Sequence, residues 1–247
     1  MVVYTLNRSK RKTVAIYIRN GGVEVRAPLK CPKSEIDSFV SSKESWINEK
    51  LHKSKMQMEK RKTFALDYGE KILFRGAEYP IAERTNIQTD FDGECFCLPP
   101  DLESKLIKDA CIKLYRRLAK SHISERVAVY AEQMSVTPTA IKINGANTRW
   151  GSCSSKKSLN FSWRLIMACD DVIDYVVVHE LAHLIHMNHS EKFWAVVERV
   201  LPNYKEYQSQ LRELRKRLNA EDWDCTKKLP SSSNEDDDKL GRNNMEQ

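Results

Sequence analysis

The sequence predicts an α+β fold with a β-rich first part and a helical second part. Three observations carry this. Short alternating apolar and polar runs separated by Gly- and Asp-Gly turns recur through the first 100 residues. From Leu102 to Met134 the apolar residues instead repeat at three- to five-residue spacing, which makes one long core-facing helix. A second apolar helix then begins near Val172 and contains His179-Glu180-Leu181-Ala182-His183.

Taken in order, Thr13–Arg19 and Val23–Ala27 read as a hairpin about Asn20-Gly21-Gly22. Helical spacing follows from Ser34 through Leu51, and the Lys-rich run to Lys62 reads as the solvated end of one helix. Strands are expected at Phe64–Leu66, Lys71–Phe74, Glu78–Ile81, Ile87–Phe91 and Cys95–Leu98, with turns at Gly69, Gly76 and Asp92-Gly93. After the long helix come strands at Thr139–Ile143 and Ser158–Met167, then a helix from Val172 to about Ile185. A further helix starts at Ser190, and a charged amphipathic one spans Tyr204–Leu218. The organisation expected is a β-rich region with one helix over 1–100, a catalytic core over 101–219 and a disordered acidic tail over 220–247.

Composition narrows the class. The chain has 247 residues, 41% apolar and 30% charged, and no apolar run reaches the ~18 residues of a membrane span. No long apolar leader opens it, and seven scattered cysteines suit a reducing compartment, so a cytoplasmic location is expected. Residues 221–247 hold four Lys/Arg against eight Asp/Glu, leaving residues 1–220 with a net charge of +11. That charge reads mainly as a solvated surface, since no nucleic-acid-binding motif accompanies it. Cys95-Phe96-Cys97 lacks a second cysteine pair to complete a four-ligand metal site and reads as strand thiols.

The chemistry concentrates at residues 176–190. On a helix, His179 and His183 share a face at i, i+4 and can grip one zinc ion, while Glu180 beside them is free to act as a base. His186 is ruled out as a third ligand on a straight helix, because it lies roughly 10 Å further along the axis from His179. His189 can reach the ion if the chain turns back at Met187-Asn188, with Asn188 in the left-handed conformation that ends helices. Glu198 on the next helix is the competing ligand. The expected chemistry is attack by a zinc-activated water with Glu180 as general base. Arg149, Tyr204 and Tyr207 are candidates to stabilise the oxyanion. The segment Arg149-Trp150-Gly151-Ser152 reads either as a strand edge that pairs with an extended substrate or as an ordinary packed strand.

Several of these stretches together resemble the YgjP-like metallopeptidase family, related to SprT-like and minigluzincin-type zinc peptidases. They are Arg149–Cys153, Trp163-Arg164-Leu165-Ile166, Asp174–His183, Asn188-His189-Ser190 and Phe193-Trp194. Looser agreement lies in residues 8–12, Trp46-Ile47 and Gly76–Tyr79. The resemblance implies a zincin-like core of small sheet, metal helix and long backing helix. It implies His179, His183 and His189 as zinc ligands and Glu180 as the base. Cys169 departs from it, standing where a proline is expected. A peptide or protein substrate is the first expectation. The alternatives are a metal-dependent UTP pyrophosphatase, for which no phosphate-binding loop is present, and a zinc-stabilised binding module without activity.

Overall fold

The computed structural model describes residues 2–19, 21–85 and 88–224. The turn residue Asn20, Ile87 at the start of an expected strand and the acidic tail from 225 lie outside them. The fold is mixed α+β, with ten strands in three small sheets and six α-helices among the described residues.

The first sheet is formed by β1 (Thr5–Ser9), β2 (Ala15–Arg19) and β3 (Gly22–Pro28), in the order β1-β3-β2. Strict alternation in β3 turns Val23, Val25 and Ala27 inward, where they pack with Ile36, Val40 and Ile47. Those residues come from two helices, α1 (Lys33–Ser42) and α2 (Glu44–Thr63). The single helix expected here is therefore broken, at Lys43, which leaves the helical region at φ −110° and ψ 10°. The helix also starts one residue before Ser34, capped by Pro32. Phe64–Leu66 is an irregular connection and not a strand.

The second sheet holds β4 (Lys71–Phe74), β5 (Ala77–Glu83), β6 (Asp90–Phe91) and β7 (Phe96–Leu98), in the order β4-β5-β7-β6. Arg75 and Gly76 close the β4–β5 turn with φ of 46° and 81°, the double positive φ of a tight two-residue hairpin. The third sheet, ordered β8-β10-β9, contains β8 (Ala140–Asn144), β9 (Gly151–Cys153) and β10 (Ser158–Ser162). β10 runs parallel to β8 and antiparallel to β9, so β9 is an edge strand. Trp163–Met167, expected to extend β10, is a 3-10 helix instead, entered when the Ser162 hydroxyl accepts from the Arg164 N–H.

Behind these sheets runs α3 (Ser104–Gln133), thirty residues long. Its buried stripe of Ile107, Cys111, Leu114, Tyr115, Ala119, Ile123 and Val127 follows helical periodicity. Each large apolar side chain buried there contributes about 1.5–3 kcal/mol. The same core contains Phe96 and Leu98, so apolar packing crosses the boundary drawn at residue 100. Three further helices close the fold: α4 (Asp170–Ala182), α5 (Glu191–Val200) and α6 (Tyr204–Asn219). Cys169 is the N-cap of α4 at φ −66°, the value a proline ring would impose, so its departure from the expected proline leaves the backbone unchanged.

Two ion pairs clamp α4. At its start, Arg75 forms a two-point bond to Asp170, and His122 Nε2 lies 3.1 Å from Asp170 Oδ1. One turn on, Asp174 is buried and accepts from Arg126 at 2.6 and 2.7 Å and from the Tyr130 hydroxyl at 3.0 Å. Arg126 and Tyr130 both belong to α3, so this network sets the angle of α4 on its backing helix. Arg126→Leu leaves the buried Asp174 carboxylate without its cation and is expected to destabilise the fold by about 3 kcal/mol in urea unfolding.

Candidate metal centre

α4 is buried almost throughout. Residues 172–178 and 180–182 are all inside, because the run of valines packs on α3 while Leu181 and Ala182 face the core. His179 and Glu180 ride in the last turn, and His183 is the C-cap. The helix ends at Ala182, three residues before the expected end. Leu184 N–H bonds to Leu181 C=O at 2.9 Å, Ile185 N–H to Ala182 C=O at 3.0 Å and His186 N–H to Ala182 C=O at 2.9 Å, forming one tightened turn. The turn needs no left-handed residue, and Asn188 is not among those with positive φ.

That turn brings three imidazoles together. Candidate ligand atoms of His179, His183 and His189 all lie within 4.8 Å of one another. Nε2 of His189 is 3.1 Å from Nε2 of His179. His186 contributes its backbone rather than its ring, lying 3.2 Å from His183 Nδ1. Donation from Nδ1 to that carbonyl leaves His183 Nε2 with its lone pair free to bind a cation. Glu198 stands outside the cluster. Phe193 of α5 is fully buried beneath all three rings, at centroid distances of 4.6 to 5.0 Å. Trp194 stacks on His189 at 5.7 Å and on Tyr204 at 5.2 Å.

Burial sets the electrostatics. It pushes His179 down to about 3, helped by His183 and His189, so this ring is neutral near pH 7. His183 is lowered for the same first reason. Glu180 is pushed up to about 8 by burial, with the Arg149 charge pulling the other way. His179 Nδ1 and Glu180 Oε2 are buried without a hydrogen-bond partner. Three convergent imidazoles beside a buried carboxyl group are a donor set suited to a divalent cation.

Gly151 at the start of β9 lies directly against Glu180. A Cβ at this position would come within 2.5 Å of Glu180 Oε1 and 2.7 Å of its Cδ. Only glycine lets the edge strand approach the carboxylate so closely. Ser152 follows on the strand, paired with Asn160 of β10. Arg149 is exposed, and its charge reaches Glu180. Trp150 is half-buried and turned toward α6, with the Arg215 guanidinium 5.2 Å above its ring. Tyr204 is buried between Trp194 and Tyr175, behind the imidazoles and not among them. Tyr207 packs against Tyr175 at 6.5 Å. Of the three oxyanion candidates, Arg149 is the one whose charge acts on Glu180. Cys153, near the same carboxylate, has its thiol held up by burial and by the Glu180 charge, which disfavours a nucleophilic thiolate.

The sequence reading overlooked Tyr175, whose ring lies 5.9 Å from His179 and whose hydroxyl accepts from Gln208 at 2.9 Å. Its position four residues before His179 was the available signal.

The buried pair also sets a pH dependence. Between pH 4.5 and 8 the folded chain holds a proton on Glu180 that the unfolded chain releases, so stability falls as pH rises through that window. His179 acts oppositely between 3 and 6.5, where the unfolded chain binds the extra proton. Metal-free protein is therefore expected to lose stability from pH 6.5 to 8 in urea titrations, and Glu180→Gln to lose measurably less.

A model of the YgjP-like metallopeptidase domain matches residues 12–214. No curated protein matches the chain. The crystal structure of the metallopeptidase zymogen abylysin of Pyrococcus abyssi is similar at 20% identity and a TM-score of 0.35, over 37% of this chain and 92% of its own. The zymogen of Methanocaldococcus jannaschii jannalysin gives 19% identity and a TM-score of 0.34, over 37% and 94%. Among the described residues no helix is long and apolar enough to cross a membrane. With the family model spanning residues 12–214, the chain belongs to the YgjP-like family and is a hydrolase of the metallopeptidase class.

Proposed function

We propose that the chain is a zinc-dependent peptidase of zincin-like core, with β8–β10 as the small sheet, α4 as the metal helix and α3 as the backing helix. The observation that carries this reading is the convergence of His179, His183 and His189 beside the buried Glu180. The three imidazoles would hold the ion. Imidazole nitrogen donors at a site closed on one side by Phe193 and open at the exposed His189 suit zinc with a free coordination position. When bound there, zinc supplies Lewis acidity toward water and a carbonyl oxygen.

The rest falls to the protein. The pKa of Glu180 drops when positive charge is brought close, so the base is ionised in the loaded protein. Its carboxylate accepts a proton from the attacking water and returns it to the departing amine. The free edge of β9 offers backbone groups to an extended peptide, with Gly151 holding the strand against Glu180 and Ser152 continuing the ladder. Arg149 stabilises charge that develops on the carbonyl oxygen. Trp150 and Tyr204 shape the walls from behind. No observation favours the nucleotide-hydrolysing or non-enzymatic readings.

Zinc-loaded protein is expected to cleave a casein-type substrate and to leave nucleoside triphosphates intact. Release of pyrophosphate without proteolysis would overturn the peptidase reading. Glu180→Gln is expected to keep its zinc and lose at least about 100-fold in kcat. Full activity in that variant would remove Glu180 from its role. Gly151→Ala pushes β9 off the carboxylate and is expected to lower kcat/KM by roughly 100-fold with zinc affinity nearly unchanged.

A further inference from the structure

The connection between β6 and β7 gathers a second set of metal-binding side chains, on residues that take no part in the first site. Alternation along β7 and the residue before it turns Cys95 and Cys97 to one face and sends Phe96 into the main core. Both cysteines are buried, at 5% and 4% exposure. Their sulfurs lie 3.3 Å apart, far longer than a disulfide, and both are free thiols. The Asp92-Gly93 turn folds a carboxylate over them. Asp92 Oδ1 accepts the N–H groups of Glu94 and Cys95 at 2.9 and 2.8 Å, which locks the side chain. Oδ2 is left facing the sulfurs, 3.4 Å from Cys95 and 3.1 Å from Cys97.

We propose that Asp92, Cys95 and Cys97 form a second metal site, for a thiophilic divalent cation of the zinc class. A tetrahedral zinc with these donors needs a sulfur–sulfur separation of about 3.8 Å and sulfur–oxygen separations of about 3.5 Å. The observed distances approach these values, and side-chain shifts of roughly half an ångström close the difference. Asp92 is exposed and gives the ion a way in, with a fourth position left to water. The bonds to Oδ1 orient the carboxylate as supporting bonds do in metal sites. Thiolates are the metal-binding form, so binding at this site releases thiol protons. The bound ion would pin the short β6–β7 pair at the edge of the second sheet.

Cobalt(II) titration of the metal-free, reduced full chain tests this. The expected result is two equivalents bound, with a sulfur-to-cobalt charge-transfer band in the near ultraviolet. The imidazole site holds no sulfur and cannot produce that band. The double variant C95S/C97S is expected to lose the band and one equivalent while keeping the other. H183A is expected to keep the band, which separates this site from the first. D92N retains both sulfurs and is expected to keep the band with affinity at least about 10-fold weaker. One equivalent without a thiolate band in the wild-type chain would overturn the proposal, as would a band that persists in C95S/C97S.

Discussion

A carboxylate and an imidazole buried together, with polar atoms that no protein group satisfies, are the constraint on which the rest of this structure turns. Glu180 Oε2 and His179 Nδ1 sit inside the molecule without partners, on a helix whose other faces are packed with valines. Leaving such groups unpaired costs on the order of 1–3 kcal/mol each. The fold accepts that cost by anchoring α4 elsewhere. Asp174 ties the helix to α3, Asp170 ties its start to Arg75, and the apolar contacts with α3 supply the remainder. The same burial that destabilises the charged forms keeps His179 neutral and leaves Glu180 holding its proton until positive charge is brought close.

The surroundings of α4 each answer to this. The helix stops at Ala182 so that His189 can return beneath the imidazoles. Phe193 fills the space below them and excludes water from that side. β9 comes close enough to touch Glu180 because residue 151 has no side chain. The edge strand β9, the buried Glu180 carboxyl group and the three imidazoles thus meet at one place, with Glu180 and His179 supplied by the last turn of α4 and His189 by the segment after it. Family membership shows the hydrolase class.

Much of the centre was legible because its information is local. His179 and His183 share a helix face by spacing alone, and the rise per residue removes His186 without any structure. The sequence overextends α4 because Leu184 and Ile185 continue the apolar pattern past Ala182, where the helix ends. No glycine or proline marks the break at Lys43, so the sequence carries no signal for it. Trp163–Met167 alternates poorly as a strand, yet only the packing of Trp163 and Leu165 in the core shows why it coils. The contact between Gly151 and Glu180 joins residues 29 apart across a sheet-to-helix interface, which no periodicity reports. Cys95-Phe96-Cys97 shows only two sulfurs in the sequence, and the Asp92 carboxylate that the structure folds over them sits three residues earlier, where Asp-Gly signals only a turn.

The central claim is that three imidazoles hold one ion next to Glu180, and anomalous diffraction from zinc-loaded crystals tests it most directly. Data collected on both sides of the zinc absorption edge should place a peak about 2.0–2.1 Å from a nitrogen of each of His179, His183 and His189, with Glu180 beside it and not bound to it. A peak bound by Glu198 in place of His189, or none between the imidazoles in crystals shown to contain zinc, would contradict it.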